Sequence, residues 1–177
     1  MTQSYLNPAS ILEQLDLLHN NMTAADFGCG SGYFTLAVAN VIGSGTITAI
    51  DVLESALASL QSQARIKGFT NIRVVRGNLE AVNGSTLANE SQDLVLLVNV
   101  LFMSQKKDAI MQEAQRVLKP GGDLLVIDWK PGTTLSPRKG YLSSVTDIEA
   151  ITSTIGLKSI KTVATDAFHY GLLLQKS

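Results

Sequence analysis

Residues 22–51 read MTAADFGCGSGYFTLAVANVIGSGTITAID, and the order of textures in that stretch decides the fold. Met22–Phe27 is short and apolar and runs straight into glycines, which predicts a strand. Residues 33–42 form an apolar helix that ends at Gly43-Ser44-Gly45. Thr46–Asp51 is β-branched, reads as a second strand and closes on a carboxylate. Strand, glycine turn, helix and strand within thirty residues make a βαβ unit with parallel strands.

Outward from this unit the alternation continues. Leu53, Leu57, Leu60 and Ala64 line a helix closed by Gly68. Ile72–Val75 is a third strand, and residues 76–91 are a polar stretch with room for a short helix. Asp93–Val98 is nearly all apolar, as expected of a strand covered on both faces. Ile110, Ala114 and Val117 mark a helix that Lys119-Pro120-Gly121-Gly122 should stop, followed by a fifth strand at Asp123–Asp128. A loop spans residues 130–143, and a helix covers roughly 145–155. Leu157–Val163 and Phe168–Gln175 lie too close for a parallel crossover and should form an antiparallel hairpin at the sheet edge. Upstream, Asn7-Pro8 reads as a helix cap with proline at the first position, and Ile11, Leu12, Leu15 and Leu18 share one face. The reading is α/β: one doubly wound domain over 1–177, with a ligand at the carboxyl ends of its strands.

Composition narrows the function. The 177 residues are 45% hydrophobic and carry a net charge of −1, which speaks against a nucleic-acid surface. No apolar run is long enough to span a bilayer, and no charged-then-apolar leader opens the chain, so a cytoplasmic protein is expected. One cysteine and two distant histidines offer no metal-ligand spacing, so no metal is expected.

The turn Asp26-Phe27-Gly28-Cys29-Gly30-Ser31-Gly32 is spaced G-x-G-x-G. The third glycine of a dinucleotide turn would fall at position 33, which is Tyr33. A dinucleotide also sets an anionic pyrophosphate at this turn, and Asp26 would oppose it. A ligand bearing an ammonium and a sulfonium would be attracted. Asp51 lies 19 residues after Gly32, the spacing of the acid that grips ribose hydroxyls in nucleoside-binding folds. The plainer readings are a loop-bracing role for Asp26 and a helix cap for Asp51.

ADFGCGSGYFT, ITAIDV, RGNLEAV, DLVLLVNVLF and RVLKPGGDLLVIDW, in that order, resemble the motifs of class I S-adenosylmethionine (SAM)-dependent methyltransferases. The likeness is greatest to the small-molecule branch that includes ubiquinone/menaquinone-biosynthesis-type enzymes. It implies a Rossmann-like three-layer sandwich with seven strands, ordered 3-2-1-4-5-7-6, the seventh antiparallel. It implies SAM as cofactor, with S-adenosylhomocysteine (SAH) as product. Gly28, Gly30 and Gly32, with Phe27 and Cys29, would form the cofactor turn. Asp26 would lie near the methionyl amino group, Asp51 on the ribose, and Val52, Asn78 and Leu79 around the adenine. Asn99 would face the methionyl end. Many relatives carry Asp where this chain has Asn78, and His where Phe102 stands.

Methyl transfer needs alignment and exclusion of water more than acid–base help, so no triad is expected and no catalytic residue is assigned. Tyr5, Phe102, Asp128 and Trp129 are the candidates for the acceptor side. Cys29 reads as a small residue that fits the turn, and His169 as a hydrogen-bonded structural residue. A small-molecule acceptor is expected, with neither nucleic acid nor membrane; a homodimer or partner subunit would serve to cover the cleft. Two other readings stand beside the enzyme: a non-catalytic SAM-binding or scaffold subunit, and an NAD-dependent oxidoreductase. The latter would want glycine at position 33 and an apolar residue at 26.

Overall fold

In the computed structural model, which describes residues 6–16 and 18–177, β1 (Thr23–Phe27) lies between β2 (Thr46–Asp51) and β4 (Gln92–Val98), parallel to both. β3 (Ile72–Arg76) extends the sheet beyond β2, and β5 (Leu118–Trp129) extends it beyond β4. The pair β6 (Leu157–Thr162) and β7 (His169–Lys176) closes it, with β7 antiparallel to both β5 and β6. The order β3-β2-β1-β4-β5-β7-β6 is the one the family resemblance implies, and the antiparallel hairpin falls where the short connection requires it.

Helices cover both faces because β1, β4 and β5 are apolar on both. One core joins Val95, Leu97 and Val126 to α4 (Lys107–Val117) and α5 (Val145–Thr154). The other joins Leu94, Leu96 and Ile127 to α1 (Pro8–Leu12) and α2 (Tyr33–Val41). Leu57, Leu60 and Ala64 of α3 (Glu54–Ile66) pack with Leu36 and Ala49. No helix among the described residues is long and apolar enough to cross a membrane.

Three local expectations need correction. The first helix ends at Leu12 although the apolar pattern runs to Leu18; beyond it the chain continues in turns. The Gln14 carbonyl accepts from Lys161 Nζ at 2.5 Å, and the Gln14 side chain pairs with both the amide and the carbonyl of Ala164. The predicted stop at Lys119–Gly122 lies inside β5. Leu118 already pairs with Gln92, and the register slips before Asp123 meets Leu94, so the glycine-rich segment bulges within a strand. Finally, residues 77–91 hold turns and no helix. Ser85 is anchored there by its amide and hydroxyl, which both donate to the buried Glu113 carboxylate at 2.9 and 2.5 Å.

Candidate active site

The chain turns one way from β1 to β2 and the other way at β4, so the carboxyl ends of β1, β2 and β4 surround a topological switch point. A cavity of about 820 Å³ opens there, lined by Asp26, Gly28, Asp51, Asn99, Trp129 and His169 among others. A second of about 150 Å³ shares Gly28, Asp51 and Val52 with it and continues toward Asn78 and Leu79. The larger is within the usual range of small-molecule sites.

The glycine turn is built for close approach. Gly28 and Gly32 have φ of +72° and +89°, a region side chains resist. A Cβ on Gly32 would stand 2.2 Å from Leu60, so α2 starts hard against α3 only because the residue is glycine. Phe27 is fully buried in the core beneath the turn, so its side chain does not reach the cavity. Cys29 is also buried, and burial followed by the charges of Asp26 and Asp51 pushes its thiol far up. It stays protonated and is no nucleophile.

Asp26 ends almost completely enclosed, 2% exposed, with Oδ2 accepting from Thr35 of α2 at 2.5 Å. No cation pairs with it among the described residues. Burial raises its pKa to about 6; the Thr35 hydrogen bonds oppose that shift and the Asp51 charge adds to it. Asp51 bridges two backbones: Oδ2 accepts from Gly30 N and Oδ1 from Leu53 N, each at 2.9 Å. Each oxygen keeps a further lone pair. The plain cap reading is thus partly realised, since Leu53 precedes α3, and the same carboxylate also holds the glycine turn.

Asn99 occupies the left-handed region at φ +56°, and its Oδ1 is buried with no hydrogen-bond partner among the described residues. A buried acceptor in that state is costly unless something donates to it. Asn78 Oδ1 accepts from Glu80 N at 3.0 Å, which leaves its amide NH₂ for a ligand. Leu79 is buried at the floor of the small cavity, and Val52 is exposed at the rim of both. No lysine or arginine lines either cavity among the described residues.

The acceptor-side candidates divide. Trp129 lines the large cavity. Asp128, one residue earlier on the strand, is buried on the opposite face, where it accepts from Phe102 N at 3.1 Å and Trp129 N at 2.7 Å. Burial raises its pKa, against those amide hydrogen bonds. Its place is to hold the 3₁₀ turn Leu101–Met103. Phe102 packs against Gly140, and its carbonyl accepts from Tyr141 N at 2.6 Å, which ties the 130–143 loop to that turn. Tyr5 lies outside the described residues. Sequence reasoning missed Met103, Phe34 and Leu6, all lining the large cavity, and set His169 aside. Pairing β5 with β7 would have found His169, which sits directly opposite Trp129.

The cleft thus lies at the switch point of a doubly wound sheet and is lined by hydrogen-bond acceptors and two aspartates, Asp26 and Asp51. Comparison with known proteins agrees: the methyltransferase domain family matches residues 18–162, and the chain belongs to that family. Its sheet order makes it a class I, Rossmann-like member, the class that uses SAM as cofactor. It is 35% identical to the arsenite methyltransferase of Aquipseudomonas alcaligenes over 108 residues, 58% of this chain and 31% of that protein. It is 27% identical to the ubiquinone/menaquinone biosynthesis C-methyltransferase UbiE of Shewanella pealeana over 151 residues, 84% of this chain and 57% of that protein. The matched stretch thus spans 31% and 57% of the length of these two curated relatives. A SAM-dependent methyltransferase from Aquifex aeolicus shares the fold at a TM-score of 0.86 and 21% identity, over 97% of this chain and 90% of that one.

Proposed function

We propose that this chain binds SAM across the two cavities and transfers its methyl group to a small organic acceptor beside Trp129. The observation that carries the reading is Asp26: a buried carboxylate with no cationic partner, in a cavity that no lysine or arginine lines among the described residues. Such a site favours a cationic ligand and opposes a pyrophosphate, which sets the NAD reading aside. SAM, when bound, supplies a methyl carbon activated by its sulfonium.

The chain's own residues then bind and orient. Asp26 and the Asn99 carbonyl accept from the amino group, which satisfies both. Asp51 turns its free lone pairs to the ribose hydroxyls. Val52 and Leu79 flank the adenine, and the Asn78 amide meets its edge. Trp129 walls the methyl-donor end against water, and exclusion of water with in-line alignment supplies most of the acceleration.

Two acceptor chemistries follow from the relatives, a quinol ring and arsenite. Trivalent arsenic is soft and prefers thiolates. The one cysteine of this chain is buried and protonated, so the quinol-type acceptor is the better fit. The test is SAH release from SAM by the purified chain, with a short-chain benzoquinol in one series and arsenite plus thiol in the other. We expect SAH above background with the quinol only. Release with arsenite alone would overturn the acceptor class. Tight SAM binding with no release in either series would move the chain to a scaffold role, completed by a partner subunit.

A further inference from the structure

His169 opens β7 on the face of the sheet that carries Trp129, and the two are direct cross-strand partners. Their rings lie 4.0 Å apart between centroids, tilted by 41°. Both line the large cavity. Beyond the end of the family match at residue 162, the chain makes a tight turn organised by Asp166. Asp166 Oδ1 accepts from Phe168 N at 2.8 Å, from His169 N at 2.9 Å, and from the His169 ring at Nδ1 at 2.8 Å. Thr165 Oγ1 donates to the His169 carbonyl at 2.6 Å and fixes the same turn from the other side.

These contacts settle the tautomer. Burial works against the Asp166 charge, but the Phe168 and His169 amides both donate to its Oδ1 and favour the ionised carboxylate, whose pKa lies below its ordinary value. A carboxylate can only accept, so Nδ1 must carry the proton that bridges to it. In the neutral ring Nε2 therefore holds a lone pair. That atom is buried and has no hydrogen-bond partner among the described residues. Most buried side-chain polar atoms have a hydrogen-bond partner. Here one ring nitrogen is fixed by a carboxylate and the other is buried without a partner, on a side chain that lines the cavity, the arrangement of a base with its orienting group.

We infer that His169, oriented by Asp166, is the general base of this site, and that the acceptor is a planar molecule that arrives with an acidic proton, a phenol or quinol in class. This rests on the methyltransferase reading above and deepens it. As the acceptor atom bonds to the methyl carbon, its proton passes to His169 Nε2, and the carbon–sulfur bonding pair stays with sulfur. The imidazolium is stabilised by the Asp166 carboxylate and afterwards releases its proton to water. Asp166 is a positioning residue, since it acts only through His169. Nε2 is buried and the Trp129 ring lies against the imidazole, so an acceptor reaches Nε2 as the side chains around it, Trp129 among them, shift.

Because the chain has two histidines and one tryptophan, spectroscopy can follow each partner. The full chain is labelled with ¹⁵N, saturated with SAH and titrated with phenol, and the imidazole nitrogens are read by NMR and Trp129 by fluorescence. H169Q assigns the signals. We expect the Nδ1–H form of His169, a phenol-induced shift confined to its Nε2, and a parallel change in Trp129 emission. Phenol affinity should fall about tenfold in H169Q, the loss of one hydrogen bond. In D166A the ring should revert to the Nε2–H form and the phenol shift should vanish, with SAH affinity kept. A wild-type ring protonated at Nε2, or an Nε2 signal that phenol leaves unmoved in the SAH complex, would overturn the inference. Failure to bind SAH at all would sink the cofactor reading instead, and the titration records that separately.

Discussion

Asp51→Ala is expected to lower the affinity for SAH by at least about 100-fold in calorimetry. Each charge-assisted hydrogen bond to a ribose hydroxyl contributes roughly 1.5–3 kcal/mol. Loss of two such bonds exceeds the roughly 2.7 kcal/mol that a hundredfold change represents. A second effect adds to it, because Asp51 also accepts from Gly30 N and Leu53 N, and the glycine turn loosens without it. Asp51→Asn keeps acceptor capacity on one atom and should fall between. A thermal melt of each variant separates a loosened turn from an unfolded chain. An alanine variant that binds within about threefold of wild type, under 1 kcal/mol, would contradict the ribose assignment.

Asp26→Asn is expected to stabilise the unliganded protein and to weaken SAM binding. The sign follows from the raised pKa. The carboxyl titrates near 3.8 in the unfolded chain and about 6 in the fold. Its stabilising contribution is complete below the first value and is lost as pH climbs through the second. At pH 7 the charged form costs the free protein about 3 kcal/mol, from 1.36 kcal/mol per pKa unit. Asparagine still accepts from Thr35 and carries no charge, so its denaturation midpoint should rise. The same substitution removes the counter-charge for the ammonium. In the wild type, binding should weaken by about tenfold from pH 7 to pH 5 as Asp26 takes up its proton. Binding that is flat over that range, or an asparagine variant with native affinity, would contradict the role. A group that destabilises the empty fold and serves the ligand is the usual mark of a functional residue.

The sheet was legible because its signals are local. Residues 22–51 carry a whole βαβ unit, and the short link between residues 162 and 169 allows only an antiparallel return. What escaped depends on partners far along the chain. The first helix stops where Lys161 and Ala164 take the groups of Gln14, almost 150 residues away. The start of β5 is set by Leu118 meeting Gln92, against the expectation that proline and glycine end an element. On the candidate site, Asp26, Asp51 and Asn99 could be placed because each ends a strand next to the glycine turn. Asp128 and Trp129 could not be told apart, since neighbours on a strand face opposite ways and only the register decides which faces the cleft. His169 was hidden for the same reason: its partner Trp129 lies forty residues earlier, across a loop with no pattern of its own.

An acceptor-rich cleft of this kind should take a cationic sulfur nucleoside and reject a dinucleotide. Calorimetric titration of the wild-type chain with SAM, SAH and NAD in parallel tests it most directly. We expect one-to-one micromolar binding of SAM and SAH and no heat from NAD. Binding of NAD with both sulfur ligands silent would contradict it.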